Sequence, residues 1–257
     1  MTALVRMEAR KLVQLTSVRG AAVVLAAFPW LWAYAPGIFD VYGVAIVSGF
    51  QVPGLGLASA MTFLLPLIVA IVAAELVGVE VTHGTLPTVL LRPVTRSAWL
   101  AAKMAVVAAM PLAALAWFFA ASLVAGAAYG FEAFVGGTGV GPGGLAGVGT
   151  LAPGAAWAEL VGAYAWAAAS LLPVALLAVF ATVLTMNAAS GALATLATLI
   201  VMDLLVILPG LEPYLLTRHL SAYVDPVAGP GWVAALIALY GAAFAAAAVL
   251  VFERKDF

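Results

Sequence analysis

Two carboxylates fall inside long apolar runs: Glu75 in LIVAIVAAELVGVE and Asp203 in LIVMDLLVIL. A carboxyl group in hydrocarbon is costly unless it faces a bundle interior, finds a partner or takes up a proton. Asp203 is therefore expected in the interior of a helix bundle or between two copies, and three roles are open to it: a hydrogen bond between helices, lining of a substrate path, or proton coupling. Glu75, close to Glu80, reads as interfacial. Other chemistry is sparse. The two histidines, His83 and His219, fall on opposite membrane faces once the apolar runs are counted, which disfavours a Ser–His pair or a two-His metal site. No Gly-x-x-x-x-Gly-Lys phosphate loop, His-Glu-x-x-His or Gly-x-Ser-x-Gly occurs, and there are no cysteines. The reading is of a chain with no catalytic residues, no metal ligands and no cofactor site.

The elements that must position those carboxylates are membrane spans. Apolar residues make up 66% of the 257 and charged residues 8%, and the mean hydropathy is +1.19; soluble domains run nearer 45–50% apolar and about 25% charged. Six apolar stretches of crossing length, or nearly so, are expected over 18–35, 57–79, 97–128, 157–184, 190–210 and 231–252. The first begins after four basic residues but ends at Pro36-Gly37 without a cleavage signature, so it reads as an uncleaved helix. Ahead of it, 2–17 forms an amphipathic helix in the headgroup plane. Leu4, Val5, Ala9, Leu12, Val13 and Leu15 lie on one side and Arg6, Arg10, Lys11, Gln14 and Ser17 largely on the other, with Glu8 an imperfection in the apolar face.

If the N-terminus is cytoplasmic, six spans put Arg6, Arg10, Lys11, Arg19, Arg92, Arg96, Lys103, Arg254 and Lys255 at the inner side and only Arg218 outside. Both termini are then cytoplasmic, and the chain is one all-α membrane domain. Scattered over short loops, these cations form no nucleic-acid patch. On the outer side, 36–56 is apolar yet broken by Gly and Pro and is expected to dip into the membrane face. The glycine-rich 130–154 reads as a flexible linker, and 211–231 as short interfacial helices bounded by Pro213 and Pro226. Gly126-x-x-x-Gly130 has helix-contact spacing, but such spacings arise by chance in a chain this rich in Ala and Gly.

Residues 80–103, EVTHGTLPTVLLRPVTRSAWLAAK, hold three of the ten Lys and Arg between the second and third spans. Gly84 and Pro87 break the helix leaving the membrane, TVLLRPV suits a short helix on the bilayer surface, and Ser97 is expected to cap the third span. A topology anchor would account for Arg92, Arg96 and Lys103. It would not account for Glu80, Gly84-Thr85, the Leu pair or Pro93.

Glu80-x-x-x-Gly84-Thr85-Leu86, Leu90-Leu91-Arg92-Pro93-Val94-x-Arg96 and Lys103 resemble the first cytoplasmic loop of ABC-2 type transporter permeases. The layout is similar over nearly the whole length, and the tail FERKDF is close to the family's aromatic, Arg and Asp ending. Leu91 and Thr95 stand where that family often carries Ser. The resemblance implies a transport subunit, not an enzyme. ATP and Mg would be bound by a separate ABC ATPase, present in two copies beside two permease copies in the cytoplasmic (inner) membrane, and export would be the direction. Loop 80–96 would be the coupling element, with Glu80, Gly84, Thr85, Leu86, Leu90, Leu91, Arg92, Pro93 and Arg96 at the ATPase: the leucines as apolar anchors, Arg92 and Arg96 pairing with carboxylates. Two other classes fit the same residues: a self-sufficient carrier or channel using Asp203 and Glu75, and a non-transporting membrane anchor subunit.

Overall fold

A computed structural model of the chain describes residues 2–34, 45–82, 95–147, 149–224 and 229–255. Their helices are α1 (Thr2–Gln14), α2 (Thr16–Tyr34), α3 (Gln51–Thr62), α4 (Leu64–Thr82), α5 (Arg96–Gly126), α6 (Pro153–Thr185), α7 (Ala188–Leu204) and α8 (Pro230–Glu253). Six of them, α2 and α4 to α8, are long and apolar enough to cross a membrane. The fold is that of a polytopic α-helical membrane protein.

Helix α6 is the axis of the bundle. It packs against α4, α5, α7 and α8, and its buried side chains run nearly its whole length, from Ala156 to Val183. Close approach around it uses small residues, as expected where lipid offers no hydrophobic drive to helix pairing. A Cβ on Gly191 would sit 2.7 Å from the Thr182 Cα, and one on Gly78 2.8 Å from the Ala188 Cα, so α7 lies tight on both α6 and α4. The α6–α7 turn is set locally. Met186 takes a left-handed conformation (φ 53°) and donates its N–H to the Thr182 carbonyl at 2.7 Å. Asn187 then caps α7 by accepting from the Ser190 N–H at 3.0 Å.

The expected second span, 57–79, comes as two helices broken at Phe63 (φ −150°, ψ −44°). Pro66 explains the break: a proline has no N–H to give and its ring collides with the carbonyl four residues back, here Thr62. The helical start at Gln51 also takes the latter part of 36–56 out of the expected dipping loop, whose residues 35–44 lie outside the described residues. At the start of α5 the cap is Thr95, not Ser97. Its Oγ1 accepts from the Ala98 N–H at 3.2 Å, the N3 position, while Ser97 only donates to Thr95 at 3.4 Å.

The glycine-rich segment is folded. Phe134–Val135 (β1) pairs antiparallel with Thr150–Leu151 (β2), and residues 137–139 between them lie against Gln51 and Gly54 of α3 and Glu159 of α6. Thr138 and Val140 are buried; Thr138 donates to Glu159 Oε2 at 2.9 Å and Gln51 Nε2 to the Gly137 carbonyl at 3.3 Å. Gly136, Gly139, Gly143, Gly144, Gly147 and Gly149 have positive φ, so glycine serves here to make a tight fold rather than slack. Gly126 and Gly130 are also used. The Gly49 N–H donates to the Gly130 carbonyl at 2.8 Å, and a Cβ on Gly126 would meet the Gly49 carbonyl at 2.6 Å. In 211–231 the short helices are 3-10 turns, Glu212–Tyr214 and Leu216–Ser221, pinned where Pro213 O accepts from His219 Nε2 (2.9 Å) and Trp232 Nε1 (3.0 Å); Pro226 lies outside the described residues.

Candidate functional site

The end of α4 and the start of α5, which flank the expected coupling loop, meet α1 around a group of four charges, three of them buried (Glu8, Glu80 and Lys103) and the fourth, Lys11, partly exposed. Lys103 is fully buried. Its Nζ donates to Glu8 Oε2 and to the Leu76 carbonyl, both at 2.7 Å, and lies 3.5 Å from Glu80 Oε1. Lys11 closes the set, donating to Glu8 Oε1 at 2.8 Å and to Glu80 Oε1. Trp99 gives its Nε1–H to Glu80 Oε2 at 3.1 Å, its ring lies 4.9 Å from Lys103 Nζ, and it stacks on Phe252 at 5.1 Å. Two carboxylates and two ammonium groups thus balance, each hydrogen-bonded, the condition under which the buried Glu8, Glu80 and Lys103 are tolerated, while Lys11 closes the set from the exposed edge. Burial works to lower the Lys11 pKa, but the hydrogen bonds and charges of Glu8 and Glu80 outweigh it, and the net direction is up.

A second set of contacts ties in the ends of α6 and α8 on this face. Arg96 Nη1 donates to the Lys255 carbonyl at 2.8 Å, and Lys255 Nζ donates to the Leu184 carbonyl at 2.8 Å. The latter places a cation on an otherwise unmatched carbonyl in the last turn of α6. Glu8, which the helical wheel marks as an imperfection, is the centre of the junction: Val5, Ala9 and Leu12 of the apolar face of α1 pack partly buried against the core, and Glu8 beside them is fully buried on Lys103. Glu80, expected on the surface facing an ATPase, holds Lys11, Lys103 and Trp99 within the chain. Its short side chain lies on the bundle side of α4, where those partners compensate its charge. Gly84, Thr85, Leu86, Leu90, Leu91, Arg92 and Pro93 lie outside the described residues.

Asp203 and Glu75 are not in the bundle interior of this chain. Asp203 is exposed, one residue from the end of α7, and Glu75 is half-buried on α4. The physical reason is register: α7 turns Gly191, Ala192, Thr195 and Leu199 inward, which leaves Asp203 at the rim of a cleft between α4 and α7. Both carboxylates line that cleft from opposite ends. A cavity of about 420 Å³ at one end holds Asp203, and another of about 610 Å³ at the other holds Glu75, with Leu196 common to both. Neither carboxylate has a hydrogen-bond or ion-pair partner among the described residues.

Around Asp203 the walls are Met61, Pro66, Leu199 and Leu220, and the remaining polar groups are hydroxyls. Thr217 Oγ1 is buried with no partner. Ser221 Oγ donates to the Arg218 carbonyl at 3.1 Å. Burial pushes the Tyr223 phenol up to about 12, so it remains a neutral hydroxyl at physiological pH. Arg218 is held by Glu212 at 2.7 Å and does not line the cavity. No group of three or more His, Asp or Glu placed to hold a metal ion occurs among the described residues.

These features define a multi-pass helical membrane protein with a charge-locked face and an acidic cleft. The chain belongs to the DUF2705 family, described as proteins of unknown function, whose model matches residues 26–257. Helix α1, and with it Glu8 and Lys11, precedes the matched region, whereas Glu80 and Lys103 fall within it. No curated protein matches the chain.

Proposed function

We propose that this chain is the membrane-spanning permease subunit of an ATP-driven ABC-2 type transporter, working as an exporter and coupled through loop 80–96 to a separate ATPase that binds ATP and Mg. Two permeases and two ATPases make the machine. Its face with α1 is cytoplasmic, since nine of the ten Lys and Arg belong to that side by the positive-inside bias.

The observation that carries this reading is the junction of Glu8, Lys11, Glu80 and Lys103. A loop that delivers force to a membrane domain must be fixed to the helices it moves. Here the last turns of α4 and the first turns of α5 are locked to one another and to α1 by the buried ion pairs of Lys103 and the partly exposed pair of Lys11 with Glu80. A loop that served only to set topology would need positive charge near the surface, not a fully buried lysine. Arg96, bonded to the tail at Lys255, would pass the same displacement to α8.

The test separates contact from charge. Replacing Arg92 and Arg96 by Lys keeps the charge and loses the planar guanidinium fork, and Leu90→Asp keeps every cation while removing an apolar anchor. One-sided truncation at a partly buried interface costs about 2–5 kcal/mol. Both variants are expected to insert normally and to lose co-purification of the ATPase. Normal assembly and ATP turnover in both would overturn the coupling role of the loop.

A further inference from the structure

The Asp203 cavity is a poor place for an anion that has only a structural duty. Asp203 lies in the last turn of α7, where the helix carbonyls present partial negative charge and cations, not carboxylates, are stabilised. Among the described residues no cation lines the cavity and no donor reaches the carboxylate; the nearest arginine in sequence, Arg218, is engaged by Glu212. The walls are otherwise mainly apolar, and the buried Thr217 hydroxyl oxygen has no hydrogen-bond partner, so its lone pairs are free to face a positive charge. About 420 Å³ falls within the range of small-molecule sites, which combine mainly apolar walls with a few convergent polar groups.

We propose that the cavity bounded by Met61, Pro66, Leu199 and Leu220 binds a lipophilic organic monocation, with Asp203 as its counter-ion and Thr217 and Tyr223 as hydroxyl partners. The apolar body of such a ligand fills the walls and its charge meets the carboxylate at the rim. A metal ion is disfavoured because only one carboxylate faces the space. An anionic or zwitterionic ligand would set a second negative charge beside Asp203. This deepens the transporter reading by naming the class of molecule the subunit handles, and it rests on that reading for the step of export, not for binding.

The experiment uses the full chain in lipid nanodiscs without nucleotide or ATPase, with empty nanodiscs subtracted. Tetraphenylphosphonium is the cation, and tetraphenylborate, of the same shape and opposite charge, is the control. Saturable binding of tetraphenylphosphonium is expected, weakened about ten-fold in Asp203→Asn and restored in Asp203→Glu, with no saturable binding of tetraphenylborate. Ala58→Trp, which puts an indole into the cavity from α3, is expected to abolish cation binding while leaving Asp203 intact. Unchanged binding in Asp203→Asn, retained binding in Ala58→Trp, or tight binding of tetraphenylborate each overturns the proposal. Loss of the cation site with normal ATPase association would sink this inference alone; cation binding in a chain that takes no ATPase would sink the transporter reading alone.

Discussion

Lys103 and Asp203 are both charges set in apolar helices, and the chain treats them in opposite ways. Lys103 is fully buried and satisfied by Glu8, the Leu76 carbonyl and Glu80; Asp203 is exposed at the mouth of a cleft, with only apolar walls and hydroxyls around it. The first arrangement spends charge on holding three helices together. The second leaves it available. Charge at membrane depth is thus not one signal but two, and what tells them apart is whether the chain supplies the counter-charge.

The comparison is broken most simply by sidedness, an all-or-none readout. Single cysteines at Arg254, on the face of the Lys103 junction, and at Thr150, on the face of the Asp203 cavity, should label from opposite sides of the membrane, Thr150 from outside. Labelling of both from one side would dismantle the six-span layout. Next in size is Lys103→Met, which leaves buried Glu8 and Glu80 to share Lys11 as their one remaining cation and should cost about 3–5 kcal/mol in detergent unfolding; adding Glu8→Gln to Lys103→Met should recover part of that loss. Gly54→Ala follows, because its Cβ would lie 1.7 Å from the Thr138 carbonyl and must lift the 134–151 cap. About 1–3 kcal/mol of destabilisation is expected, whereas Gly162→Ala, with nothing within 4 Å, should be neutral or stabilising. At Asp203 the stability change should be smaller still. Asp203→Asn is expected within about 0.5 kcal/mol of the parent by thermal unfolding, and a large loss would mean the residue holds the fold after all.

The smallest effect concerns pH. The Lys11 pKa is raised in the folded protein, so its share of α1 docking is fully present below its ordinary value of 10.5 and is lost only as pH climbs through the raised value. A spin label at Val13, an exposed position on α1, should keep its spectrum past pH 10.5 and gain mobility only as pH climbs through the raised value. In Lys11→Met the alkaline transition should disappear.

How far the sequence reaches differs between these regions for physical reasons. The helices are legible because a run of about twenty apolar residues has few other uses, and the α1 wheel shows its amphipathic pattern. Which way a span faces is not legible where the helix is apolar all round, as α4, α6 and α8 are, since no polar stripe marks the lipid or the core side. Asp203 is a separate case: on α7 the inward stripe is Gly191, Ala192, Thr195 and Leu199, small or apolar residues that the sequence does not set apart from their neighbours, so the carboxylate is left exposed in the single chain. The Glu8–Lys103 pairing was within reach. Two opposite charges, each on an apolar stripe, are an expense that cancels only if they meet, yet helical periodicity within α1 says nothing of α5. Pro66 also announced the break at Phe63. The cap over 134–151 could not be read locally, because glycine at positive φ and glycine in slack chain look alike until Gln51, Gly54 and Glu159 are brought beneath them.

The proposed coupling of loop 80–96 to a separate ATPase is tested most directly by recovering the intact assembly from native membranes through a tag on this chain. The expected result is an ATP-hydrolysing subunit in a one-to-one ratio with it, released by Leu90→Asp. Recovery of the chain alone, or with partners that hydrolyse no ATP, would contradict it.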